Sequence, residues 1–279
     1  MKKNAPFLKW TGCIALATVF SLHACKKKED AMDPDPDLTT EQDVSNADSD
    51  LNSIISDIDK VAGQISARED GAATFIFTGP TDTAVGTFNE YVHITYTGDG
   101  DDGLSRSGSM IVYFKKGHSR ALGNYEDSAI FSATKVDGRA IQGFKWTKQV
   151  TADDTHSWKF QIMASGQIAN SAGVWMDYTT SRTRVRAFKN GSSPSLQDTW
   201  SISGSWDGTN SKGQSVTATI TSPIVIDGTC SFRLPVSGSI DFTNNALNIT
   251  RSIAYGNGDC DHWAVFTTAK GKQYLIYLR

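Results

Sequence analysis

Residues 199–221, TWSISGSWDGTNSKGQSVTATIT, decide the fold. Trp200, Ile202, Gly204 and Trp206 fall at every second position and share one face, and Asp207-Gly208 follows as a turn signal. Beyond it Val216, Ala218 and Ile220 oppose Thr217 and Thr219. Two runs of period two joined by turn residues describe antiparallel strands with one dry face and one wet face.

The same text recurs on either side. Runs of strand character fall at 74–78, 90–97, 109–115, 141–150, 157–164, 174–180 and 182–189, and again at 230–234, 238–242, 247–254, 263–268 and 273–278. Asp137-Gly138, Asn190-Gly191, Asp227-Gly228, Asn257-Gly258 and Lys270-Gly271 punctuate them. In 141–150, Phe144 and Trp146 oppose Lys145 and Thr147, which predicts an aromatic dry face. With no helical period between strands, crossover units and a parallel sheet are excluded. The expectation is an all-β domain over 72–279, a large antiparallel meander forming a sandwich or a partly open barrel, with about fourteen strands.

One helix precedes it. Leu51, Ile54, Ile55, Ile58, Ala62 and Ile65 recur at spacings of three and four, with Asp50, Ser53, Asp57, Lys60 and Gln64 on the other face. The pattern predicts an amphipathic helix over 41–69 that packs its apolar stripe on the sheet and is stopped by Asp70-Gly71.

The chain has 279 residues and a formal net charge of -3, with 39% hydrophobic and 20% charged residues. Those values exclude a disordered chain and a nucleic-acid binder that works by bulk positive charge. The one apolar segment lies at the extreme N-terminus. Met1-Lys2-Lys3 and Lys9 precede a short run, Ile14 to Leu22, that is too brief to span a bilayer, so 1–24 reads as an export signal. Leu22-His23-Ala24-Cys25 resembles a bacterial lipobox, in which the signal is cut before the cysteine and acyl chains on Cys25 attach the protein to the membrane. Loss of residues 1–24 removes three lysines and no acid, which takes the net charge to -6. Residues 25–40, with alternating Asp and Pro and almost nothing to bury, read as an extended acidic tether reaching roughly 40 Å. Lys28-Glu29-Asp30 resembles the lysine-and-acid signal that sends Bacteroidetes lipoproteins to the outer face of the outer membrane; the alternative is the periplasmic face.

Cys13 leaves with the signal and Cys25 carries lipid, so Cys230 and Cys260 remain as an even pair in an oxidising compartment, and a disulfide between them is expected. On the chain-entropy view such a bridge stabilises by about 3.7 kcal/mol. The text around them is the most specific in the chain: Cys230-Ser-Phe-Arg-Leu-Pro-Val-Ser-Gly-Ser239, then Ile253-Ala-Tyr-Gly-Asn-Gly-Asp-Cys-Asp261, then a last strand from Gly271. It resembles the C-terminal region of uncharacterised Bacteroidetes outer-membrane lipoproteins, which carry a Val-Ser-Gly strand before a Tyr-Gly-x-Gly-x-Cys-Asp turn. The resemblance covers roughly the last 60 residues. It implies compartment and fold style, and brings no catalytic residue.

The chain has no Gly-x-Ser-x-Gly elbow, His-Glu-x-x-His helix or phosphate-binding Gly-Lys-Ser/Thr loop. His93, His118, His156 and His262 read as structural or solvated. Asp99, Asp101 and Asp102 begin like a calcium loop, but Met110 stands where the closing carboxylate belongs, so no metal and no cofactor is expected. Two features point to ligand binding. Arg182, Arg184 and Arg186 line one face of one strand, suited to a carboxylate, sulfate or phosphate unless that face is simply solvated with Thr183, Val185 and Ala187 turned inward. Trp200 and Trp206 project from one side like a platform for sugar rings, unless they are core. Asp82-Thr83-Ala84 and Asp127-Ser128-Ala129 resemble the short O-glycosylation acceptor of Bacteroidetes. The expected function is a lipid-anchored envelope protein without catalysis, binding glycan, lipid or an envelope partner and no nucleic acid. A polysaccharide-acting hydrolase is the alternative, and a hydrophobic-ligand carrier the second.

Overall fold

The computed structural model describes residues 39–63, 73–78, 88–96, 98–100, 104–115, 118, 120, 123–154, 156–189, 197–230, 234–261 and 263–277. Cys25, residues 26–38 of the expected tether, Thr83 and His262 lie outside them, as do residues 64–69 of the expected helix; Thr39 and Thr40, assigned to the tether, instead open the helix.

Helix α1 (Thr39–Gly63) is followed by thirteen strands: β1 (Ala73–Thr78), β2 (Phe88–Tyr96), β3 (Arg106–Lys115), β4 (Glu126–Val136), β5 (Arg139–Asp154), β6 (Ser157–Ala169), β7 (Trp175–Ala187), β8 (Thr199–Thr209), β9 (Ser215–Asp227), β10 (Ser237–Asn244), β11 (Ile249–Asn257), β12 (Trp263–Thr267) and β13 (Gln273–Tyr277). They pair in chain order in one sheet, each antiparallel to the next. The domain is therefore all-β with a single helix, and one continuous meander rather than two stacked sheets. Short turns at 137–138, 210–214 and 268–272 lie on one rim. The longer connections between β3 and β4, β7 and β8, and β9 and β10 lie on the other.

The sheet curls around the helix. Arg106 of β3, Arg139 of β5, Arg182 of β7 and Arg251 of β11 all reach side chains of α1, so strands far apart in the order converge on one element. Curvature has a local cause between β5 and β6, where Gly143 and Gly166 sit opposite each other on the concave side. A Cβ on Gly143 would lie 2.2 Å from the Ser165 carbonyl oxygen, and its φ of +132° is one that side chains rarely adopt.

Helix α1 departs from the expected half-buried stripe. Leu51, Ile54 and Ile58 are buried as foreseen, but Asp50, Ser53 and Asp57 on the polar side are buried too. Carboxylates tolerate this because the sheet supplies cations. Asp50 accepts two hydrogen bonds from Arg139, at 2.7 Å from Nε and 2.6 Å from the second nitrogen of the fork. Asp57 accepts from Arg106 Nε at 2.7 Å and from the Tyr96 hydroxyl at 3.1 Å, and Glu41 accepts from Arg251 at 2.9 Å. At the start of the helix Asn210 donates to Thr40 and the Ser211 N–H to Asp43.

Three strand expectations need correction. β4 has no counterpart among the predicted runs, because its inward positions are Asp127, Ala129 and Phe131 while Ile130 points out, which erases the alternation. The runs 174–180 and 182–189 are one strand, β7, through Ser181. Residues 230–234 contribute no described strand, and Cys230 lies in the turn after β9.

Candidate functional site

The arginine strand faces inward, so the solvated reading of that face is overturned. Thr183 and Val185 take the outer positions, while Arg182, Arg184 and Arg186 point toward the helix side. Their partners differ. Arg182 pairs with Asp48 of the helix and donates from Nε to Thr180 at 2.9 Å. Arg186 donates from Nε to Asp198 at 2.7 Å, and the same carboxylate accepts from the Lys189 N–H. Arg184 has only a distant Asp59 oxygen, at 3.5 Å.

Register brings the tryptophans of β8 beside these arginines: Arg186 lies opposite Trp200 and Thr180 opposite Trp206. The guanidinium carbons of Arg184 and Arg186 lie 3.7 and 4.8 Å from the Trp200 ring centre. In a desolvated setting such contacts are worth roughly 2 kcal/mol each. Trp206 is core, and both tryptophans are too deeply buried to present an open platform. Of the five candidate ligand residues, Arg184 and Trp200 share a site with Arg186, whereas Arg182 belongs to the helix interface and Trp206 to the packing.

Sequence reasoning missed the residues that complete this end. Arg120, in the β3–β4 connection, donates to Asp59 Oδ1 at 2.6 Å and stacks on Tyr125 at 4.4 Å. Gln149 donates to the Arg120 carbonyl at 2.9 Å. Beneath them Lys145 and Asp127 form an ion pair at 2.7 Å with both side chains 0% exposed, and the Tyr125 hydroxyl donates to the same carboxylate at 2.5 Å. The nearest signal in the sequence is charge balance: α1 carries Glu41, Asp43, Asp48, Asp50, Asp57 and Asp59, and so acidic a helix calls for cations on whatever face receives it.

Titration follows this geometry. Burial alone pushes the Asp59 carboxyl upward, but Arg120, Arg184 and Lys145 together hold it below the usual carboxylate range. Burial presses the Arg184 guanidinium down to about 10, and the like charges of Arg186, Arg120 and Arg182 act the same way, so it stays a cation at neutral pH. Burial raises the Tyr125 hydroxyl well above a free phenol, and the Asp127 charge adds to it.

The outer face carries the aromatic residues expected inside. Phe144 is 48% exposed, with Ile130 on β4 and Met163 on β6 similarly open. Register aligns His93, Ile111, Ile130 and Phe144 in one row, and Tyr91, Tyr113, Ser128, Trp146 and Met163 in the next. Tyr91 and Tyr113 meet at 6.1 Å between ring centres, the Trp146 N–H donates to Glu126, and Gln142 donates to Gln167 across the neighbouring strands. Ser128 is half-buried in this patch. His118 stacks on Phe114 at 4.7 Å, His93 is half-buried on the outer face and His156 is exposed in a turn.

Cys230 and Cys260 are bridged, with their Cα atoms 5.4 Å apart, which ties the β9–β10 connection to the β11–β12 connection on the rim of longer loops. Among the described residues no three His, Cys, Asp or Glu side chains group to hold a metal ion. No helix among them is long and apolar enough to cross a membrane. No protein-family model, curated protein or solved structure matches the chain.

Proposed function

We propose that the protein is a lipid-anchored envelope protein, held by acyl chains on Cys25 at the outer membrane and displayed on its surface, that binds a glycan strand through the outer face of β2–β6. The observation that carries this reading is the exposure of Ile130, Phe144 and Met163 on three adjacent strands, in rows continued by Tyr91, Tyr113 and Trp146. A gently curved array of aromatic and apolar side chains edged by the Gln142–Gln167 amides suits sugar rings, which stack by their C–H faces and hydrogen-bond by their hydroxyls. The lipobox resemblance and the acidic tether support the anchoring.

The two alternatives draw less support. A hydrophobic-ligand carrier needs an interior cavity, and helix α1 occupies the concave side of the sheet. A hydrolase needs a carboxyl free to give or take a proton, and the inner carboxylates described each accept from an arginine, a lysine or a backbone N–H. The test is sedimentation with insoluble envelope and plant polysaccharides, comparing the wild type with Phe144→Ser and Met163→Ser. Retention of the wild type and release of the variants is expected; equal behaviour of the three proteins contradicts the reading.

A further inference from the structure

Seven inner arginines have described acid partners, and they are unequally satisfied. Arg139 is held by both oxygens of Asp50, and Arg106 donates to Asp57, Ser53 and the Leu104 carbonyl. At the rim of longer loops two cations share one acid. Among the described residues Arg120 and Arg184 both meet Asp59, while Arg186 pairs with Asp198 and Lys145 with Asp127. Asp59 is shared: Oδ1 takes Arg120 at 2.6 Å and Oδ2 is left to Arg184 at 3.5 Å, beyond an ordinary charge-assisted bond. The Nε–H groups of Arg120 and Arg184 are both buried with no acceptor, and Gln149 Oε1 is buried with no donor. Charged donors removed from water without an acceptor are costly, and such a cluster is explained when a ligand's oxygens complete it.

We propose that Arg184 and Arg120 form an oxyanion site, taking the carboxylate, sulfate or phosphate of a hydroxylated small ligand beside Asp59. The row across the sheet places the other parts. Gln149 lies opposite Phe160 and Phe160 opposite Arg184, so the free amide oxygen of Gln149 is in the same row, ready to accept a ligand hydroxyl. Trp200 backs Arg184 from the next strand, with the guanidinium carbon 3.7 Å from the ring centre, and so limits how the fork can turn. The Arg184 side chain is 13% exposed, toward the end of β7 that leads to the rim of longer loops. This site is separate from the outer aromatic face and does not depend on it.

The test titrates the full chain with sulfate, phosphate and galacturonate against chloride at constant ionic strength. Arginine Nε–H correlation spectra of the wild type are expected to show two resonances moving saturably. The thermal midpoint is expected to rise by several degrees, a gain lost in Arg184→Gln and kept in Lys159→Gln, a change on the outer face of β6. A response to galacturonate alone assigns a carboxylate, and a response to sulfate or phosphate assigns a tetrahedral group. No saturable shift with any of the three, or the same midpoint gain in Arg184→Gln, overturns the proposal. If Arg184→Gln does not fold, the wild-type resonances decide alone.

Discussion

The two faces of β4–β7 each break the usual arrangement of a sheet in part, because charged side chains stand among the inner core of Phe131, Ile141, Phe160 and Ile162 and apolar ones among the polar residues outside. Inside stand Asp127, Lys145, Thr147, Arg182 and Arg184; outside stand Ile130, Phe144, Trp146 and Met163. In an ordinary sandwich the aromatic side is dry and the charged side wet. Here an acidic helix lies in the concavity, so the face that receives it must carry cations beside its apolar core, and Phe144 and Trp146 fall on the convex side. Burial follows from what a face is packed against, and polarity alone does not predict it.

The largest expected effect breaks the inner side of that comparison. Lys145→Met leaves Asp127 buried and unpaired, and urea denaturation is expected to show a loss of about 3–5 kcal/mol. Adding Asp127→Leu removes the stranded charge and should recover most of it. A small loss in the single variant means that water reaches the pair and that the face is not dry. At the rim where the two faces meet, reduction of Cys230–Cys260 is expected to cost about 2–4 kcal/mol, read as the shift in urea midpoint with and without reductant.

Acid titration sharpens the picture further. Asp59 sits below its unfolded value of about 3.9, so its contribution is complete above that pH and is lost as pH falls through the lowered folded value. Asp50 acts in the opposite sense, since burial raises it against the pull of Arg139 and it holds its proton more readily folded than unfolded. Asp59→Asn should therefore flatten the fall in stability below about pH 4, followed by circular dichroism, while Asp50→Asn should not. The smallest effect on stability belongs outside: Phe144→Ser should change unfolding free energy by no more than about 0.5 kcal/mol while abolishing polysaccharide retention.

Much of this fold is legible in the sequence. The alternation in 199–221 reads correctly as β8 and β9, although Asp207-Gly208, taken as the turn, lies within β8 and the chain reverses at 210–214, and the spacing of Leu51, Ile54 and Ile58 reads correctly as a helix. The Cys230–Cys260 pair, expected on the reading of an exported chain, is bridged. What fails has one cause. Period two tells which residues share a face, as it does for Phe144 with Trp146 and for Arg182 with Arg184, but not which face is inside when the element packed there is itself charged. β4 is invisible for the same reason, with Asp127 inward and Ile130 outward. Arg120 meets Arg184 at Asp59 and Gln149 meets Arg120 only in the folded chain, and nothing local to their sequence marks them.

Amide hydrogen exchange of helix α1 bears most directly on the claim that the arginine-lined sheet closes around it. Residues 44–61 are expected to exchange as slowly as the core of β4–β8, through global unfolding. Helix amides that exchange orders of magnitude faster than those strands, with the strands still protected, would mean that α1 leaves the sheet independently and that the inner ion pairs do not hold it.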